Sequence, residues 1–169
     1  GLFPQLDIYW GEDGMDQVSR LTDFDIGVSA LVGVAGLRPT WNMIRNGKTV
    51  ALANKEVLVT GGRLVMEAAK DCSATLLTVD SEPSAIMQCL RGENHAEIER
   101  ILLTSSGGPF FEREITDDIT PQEALRHPTW KMGPKITIDS ATMMNKGFEI
   151  IEARWLFDVP VEKVQVVIH

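Results

Sequence analysis

The sequence predicts an α/β fold: an incomplete Rossmann-like, doubly wound parallel sheet over residues 1–80, followed by an α/β unit with a mixed sheet over residues 81–169. Two observations predict it. Apolar runs rich in β-branched residues alternate with helix-length stretches, the pattern of strand and helix layers joined by crossovers. The later strands also each end in a polar cluster, DSE, TSSGG and DSAT, and ligands of open α/β sheets bind beyond the carboxyl ends of strands.

Strands are expected at 7–10 (DIYW), 26–31 (IGVSAL), 48–54 (KTVALAN), 75–80 (TLLTVD), 101–104 (ILLT), 135–139 (KITID) and 164–169 (VQVVIH). Helices are expected at 13–21, 36–46, 55–70, 83–99, 121–126 and 141–157. The first 80 residues have the spacing of a doubly wound sheet but hold no Gly-x-Gly-x-x-Gly turn after a strand, so the dinucleotide fingerprint is missing. A domain boundary is placed near 80–82.

With 44% hydrophobic and 24% charged residues in a chain of 169, a folded globular protein is expected rather than a disordered one. The net charge of −8 gives no long-range attraction to nucleic acid or to an anionic membrane, so an anionic ligand would be held by local groups. A small-molecule site follows from that. Cys72 and Cys89 stand in no metal-type spacing, which fits a reducing compartment. No apolar run approaches the ~18 residues of a membrane helix and no secretory leader opens the chain, so a cytoplasmic location is expected. Because the chain starts at Gly1 and stops inside an apolar run, it is expected to be part of a longer polypeptide.

Asp80 and Glu82 are two apart at a strand end, with Cα atoms about 7 Å apart, so both can reach one ion. The bland reading is a pair of solvated carboxylates. In ATMMNKGFEIIEARWLF, Met144, Phe148, Ile151 and Trp155 form an apolar helical stripe, with Ser140 or Asp139 as a cap. On its flank Asn145 and Glu149 are i, i+4 and Lys146 and Glu149 are i, i+3. That trio is either an ordinary ion pair or part of a site. If Glu149 came within about 5 Å of Asp80 and Glu82, each like-charge pair would cost roughly 3 kcal/mol at an effective dielectric near 20. A hard divalent cation such as Mg²⁺ or Mn²⁺ is the counter-charge such oxygens select.

Ser105, Ser106, Gly107 and Gly108 follow the strand ILLT with hydroxyls and close-approaching N–H groups, which suits an anion or a plain flexible turn. Ser140 at a helix start and Lys146 add further phosphate-binding capacity. His127, Trp130 and Met132 lie in HPTWKMG, a loop able to fold over a ligand or to stay solvated. Lys55, just past the strand KTVALAN, sits within reach of a substrate or cofactor, or is a solvated helix-start lysine.

Taken in order, LANKE, LLTVDSE, ILLTSSGGPF, HPTWKMGPK and DSATMMNKGFEIIEARWLF resemble the 1-deoxy-D-xylulose 5-phosphate reductoisomerase family, from about Ala30 to His169. The resemblance implies a cytoplasmic or plastid homodimer of the non-mevalonate isoprenoid pathway that converts 1-deoxyxylulose 5-phosphate and NADPH to 2-C-methylerythritol 4-phosphate. By motif match it implies Asp80, Glu82 and Glu149 as ligands of Mg²⁺ or Mn²⁺. Ser106, His127, Ser140, Asn145 and Lys146 match residues that hold the substrate phosphate. Lys55 and Ser81 match residues near the metal that touch substrate. Ala30, Asn54, Glu56 and Gly133 match positions lining the NADPH site, and Trp130 and Met132 fall in a mobile lid. Residues 1–80 then belong to the NADPH-binding domain and 81–169 to a truncated central catalytic domain. Pro83, Ser105 and Pro134 depart from the family pattern, none at a ligand position.

Two other readings compete. A dehydrogenase with a glyceraldehyde-phosphate-dehydrogenase-like second domain would need a nucleophilic cysteine or a different base, and neither Cys72 nor Cys89 has such a context. A catalytically inactive module that binds metal and phosphosugar is the other.

Overall fold

A computed structural model describes residues 6–169, so the first five residues of the expected 1–80 domain lie outside it. The chain divides into two compact units, Gly1–Asp80 and Ser81–His169.

In the first unit, α1 (Gly11–Ser19) precedes β1 (Ile26–Ser29), α2 (Leu37–Arg45), β2 (Thr49–Leu52), α3 (Glu56–Asp71) and β3 (Thr75–Thr78). The three strands pair in parallel in the order β1-β2-β3, in register from Ile26↔Thr49↔Thr75 to Ser29↔Leu52↔Thr78. Parallel neighbours need crossover connections, and α2 and α3 supply them. Val50, Leu52, Ile44, Val57, Leu58 and Val65 are buried at or near zero exposure, which is where the sheet meets the helices. The register sets the carboxyl ends of all three strands along one edge, so Ala30, Asn54–Glu56 and Asp80 line that edge.

The second unit runs α4 (Ser81–Cys89), β4 (Ile101–Ser105), α5 (Pro121–Ala124), α6 (Pro134–Ala141), α7 (Met144–Leu156) and β5 (Val164–Ile168). β4 and β5 pair in parallel, so among the described residues this unit has a parallel pair where a mixed sheet was expected. Its core gathers Ile86, Ile101, Leu103, Ala153, Phe157, Val159 and Val164.

Four expectations are corrected. Residues 7–10 form no strand: Ile8 and Trp10 are 82% and 86% exposed, and the segment leads into α1. KITID is helical, not extended. Pro134 starts α6 with its preset φ, and the Thr137 hydroxyl donates to Gly133 O at 2.8 Å, so the start of a helix outweighs the β-propensity of Ile and Thr. The long helix expected at 141–157 is two helices, broken at Met143, whose φ of +60° is left-handed. Ser140 therefore lies in the last turn of α6 rather than at a helix start, and neither it nor Asp139 caps α7. The helix expected at 83–99 ends at Cys89, short of Gly92 with its φ of +84°.

Candidate metal and phosphate site

The face of α7 that turns inward is polar, contrary to the expected apolar stripe. Lys146, Glu149, Glu152 and Ala153 are buried, whereas Met144 is 50% and Ile151 36% exposed. Ion pairs beneath the helix explain this. Lys146 Nζ reaches Glu149 Oε2 at 2.5 Å, Glu82 Oε1 at 3.2 Å and the Thr104 carbonyl at 2.6 Å. Asn145 Nδ2 donates to Glu149 Oε1 at 2.6 Å. Thus α4, β4 and α7 each contribute to one buried cluster, with carboxylate oxygens of Glu82 and Glu149 within 4.8 Å of each other. At that separation two carboxylates repel by about 3 kcal/mol at an effective dielectric near 20, and the buried ammonium offsets it.

Glu82 occupies the first turn of α4, where a negative charge meets the positive end of the helix. Burial pushes its carboxyl up, but the Ser81 hydroxyl and the Lys146 charge outweigh burial and hold it below the ordinary glutamate value. The Ser81 hydroxyl donates to Glu82 Oε2 at 2.6 Å. A carboxylate kept ionised in this way is a ready ligand for a hard cation.

Asp80 closes the first unit and is joined to Glu82 through Ser81 alone. Within the first unit it pairs with Lys55, which is 6% exposed at the start of α3, so the ends of β2 and β3 are tied together. Beside it Asn54, 3% exposed, donates to the carbonyls of Leu31 and of Gly33, the latter at 2.8 Å, and accepts from Val57 N at 3.3 Å. The Asn54 side chain therefore shapes the loop after β1. A Cβ on Gly36 would lie 2.3 Å from Asn54 Nδ2, so only glycine lets this loop close on the amide. Ala30 is exposed and Glu56 half-buried along the same edge.

The turn after β4 is closed by its own hydrogen bonds. Gly107 and Gly108 have φ of +80° and +72°, and their N–H groups donate to the hydroxyls of Ser105 and Ser106 at 3.2 and 3.3 Å. A Cβ on Gly108 would stand 2.6 Å from the Ser140 carbonyl, so the turn lies directly against the end of α6. Ser106 Oγ is 3.2 Å from His127 Nε2. His127 Nδ1 accepts the N–H groups of Thr129 and Trp130 at 3.1 and 2.9 Å, which places the ring proton on Nε2 and makes that nitrogen a donor toward Ser106.

Ser106, His127 and Ser140 thus meet around the turn, while Asn145, Lys146, Glu149 and Glu82 meet under α7. Trp130 holds His127 through its backbone, and its side chain is 64% exposed. Met132 is half-buried, and Gly133 precedes α6. Sequence reasoning missed the Thr104 carbonyl and the buried Glu152. A main-chain acceptor leaves no mark in side-chain identities, and Glu152 reads as a surface residue until the helix is known to bury its polar side.

The family model for 1-deoxy-D-xylulose 5-phosphate reductoisomerase matches residues 3–62, and that for the C-terminal domain of 1-deoxy-D-xylulose 5-phosphate reductoisomerase matches residues 76–157. The chain belongs to the 1-deoxy-D-xylulose 5-phosphate reductoisomerase family. A reductoisomerase of this name from Geobacillus sp. (strain WCH70) is 55% identical over 164 residues, covering 96% of this chain and 43% of the relative. That of Caldanaerobacter subterraneus subsp. tengcongensis is 53% identical over 166 residues, covering 97% and 43%. The chain accordingly spans about two fifths of the length of the curated relatives it matches. Among solved structures, a DOX-P reductoisomerase in complex with NADPH, fosmidomycin and magnesium matches with a TM-score of 0.87 at 44% identity over 94% of this chain and 42% of that one. The reductoisomerase of Zymomonas mobilis in complex with NADPH matches with a TM-score of 0.84 at 45% identity over 94% and 41%.

The three departures from the reductoisomerase pattern have physical accounts here. Pro83 lies in the first turn of α4 and Pro134 at the start of α6, where a helix needs no N–H donor. The buried Ser105 hydroxyl accepts from Gly107 N and donates to Met143 Sδ at 3.8 Å, tying the turn to the junction of α6 and α7.

Proposed function

We propose that this chain is the metal- and phosphosugar-binding core of an enzyme that isomerises and reduces 1-deoxy-D-xylulose 5-phosphate to 2-C-methyl-D-erythritol 4-phosphate with NADPH. The observation that carries the reading is the buried Glu82–Lys146–Glu149 cluster of the second unit, in a chain of the reductoisomerase family whose solved relatives bind NADPH and magnesium.

Asp80, Glu82 and Glu149 would hold Mg²⁺ or Mn²⁺. The all-oxygen donor set fits a hard ion, and the single Lys146 ammonium offsets only one of the two charges on Glu82 and Glu149. The chemistry such an ion would supply there is Lewis-acid polarisation of a ketone and stabilisation of negative charge developing on its oxygen. Ala30, Asn54, Glu56 and Gly133 would line the site of NADPH, which supplies the hydride that reduces the resulting aldehyde. Asn54 would act there through the loop it shapes.

The remaining residues bind and orient. His127 Nε2–H and the hydroxyls of Ser106 and Ser140 would supply donors for a phosphate. Asn145 and Lys146 would complete that subsite. Lys55 and Ser81 would contact substrate near the metal, and Trp130 and Met132 would cover it and exclude water from the intermediate. No described helix is long and apolar enough to cross a membrane, and the enzyme is read as a cytoplasmic homodimer.

An absorbance assay tests this. A polypeptide of the relatives' full length carrying this chain should oxidise NADPH only when deoxyxylulose phosphate and a divalent ion are both present. Turnover undiminished by a chelator would refute the metal reading.

A further inference from the structure

We infer that the Lys146 ammonium is a built-in counter-ion that a divalent cation must displace from Glu82 and Glu149 in order to bind. The inference rests on the metal reading above and adds to it how the site is kept before an ion arrives.

The geometry is that of a cation site already satisfied. The three protons of the Lys146 ammonium match three acceptors: Glu149 Oε2 at 2.5 Å, Glu82 Oε1 at 3.2 Å and the Thr104 carbonyl at 2.6 Å. At 5% exposure the ammonium has little water to fall back on, so its solvation is these oxygens. A divalent ion held by the same two carboxylates, at about 2.0–2.2 Å from each donor, would sit beside a fixed positive charge. Their repulsion is twice that of two unit charges at the same distance. Ion and ammonium cannot both keep the Glu149 oxygen at full strength.

The third acceptor gives the displaced group a place to stay. Thr104 is uncharged, its carbonyl belongs to β4, and Ser105 and Ser106 follow it directly. An ammonium that leaves Glu149 but keeps Thr104 remains next to the Ser105–Ser106 segment proposed to take the phosphate. Ion binding would thereby release a positive charge for an incoming phosphate. A residue that merely props Glu149 in place would behave in the opposite way, because its removal would weaken ion binding.

Calorimetric titration of Mn²⁺ into the 169-residue chain, Lys146→Gln and Lys146→Arg distinguishes the two. Loss of the charge should tighten Mn²⁺ binding by about tenfold, as expected when a like charge leaves a site of reduced dielectric, while Lys146→Arg should stay near the parent. Equal or weaker binding by Lys146→Gln would overturn the inference and leave the metal reading standing. No Mn²⁺ binding by the parent chain would remove both. Crystal structures of the unaltered chain with and without Mn²⁺ give a second readout that needs no variant. Nζ should leave Glu149 and keep the Thr104 carbonyl when the ion is bound, and a persistent 2.5 Å contact to Glu149 would contradict the displacement.

Discussion

Gly108 shows how one residue type decides a local structure. Its φ of +72° lies in the left-handed region, and a Cβ there would press to 2.6 Å against the Ser140 carbonyl, a backbone atom with no freedom to move aside. Gly108→Ala should therefore destabilise the chain by about 1–3 kcal/mol, measured by urea unfolding. A variant as stable as the parent would mean that the turn and α6 do not meet as described. His127 makes the same point for chemistry. Its tautomer is set by two backbone N–H groups that occupy Nδ1, so the donor facing Ser106 is defined before any ligand arrives.

Among the elements, α5 is four residues long and owes its start to a reciprocal cap. The Thr120 hydroxyl accepts from Glu123 N, and the Glu123 carboxylate accepts from Thr120 N. Arg113 first, then the N–H and hydroxyl of Thr120, hold the Glu123 carboxyl down to about 2. Because the folded value is depressed, the stability this group contributes is fully present above its ordinary value of 4.5 and is lost as pH falls toward about 2. Urea midpoints should thus fall between about pH 5 and pH 2, and Glu123→Gln should remove part of that fall. An unchanged pH profile in the variant would contradict the cap.

The elements also show what could be read in advance. β1, β2, β3, β4 and β5 appear where β-branched runs end in polar residues, because burial on a parallel sheet requires such runs. KITID failed that rule, since Pro134 starts a helix there and tertiary packing outweighs β-propensity. The break at Met143 was equally hidden, because a left-handed methionine carries no sequence signal. In the site, Lys146 and Glu149 were legible as helix neighbours. That they are buried, and that Glu82 and the Thr104 carbonyl join them, depends on long-range packing that local spacing does not contain.

At the scale of the whole molecule, a chain of net charge −8 holds the carboxylates of Glu82 and Glu149 close together in its second unit with one buried lysine between them, which leaves the cluster negative. Apolar residues of the same size would often stabilise a fold at least as well as a buried ion pair. The reductoisomerase reading turns on whether these oxygens take a hard cation. Electron paramagnetic resonance titration of Mn²⁺ into the chain and into Glu149→Gln measures this directly. The parent should sequester the ion, and the variant should leave at least about tenfold more of it free, as expected for the loss of a charged ligand. Equal sequestration by the two would contradict Glu149 as a ligand and, with it, the proposed centre of the site.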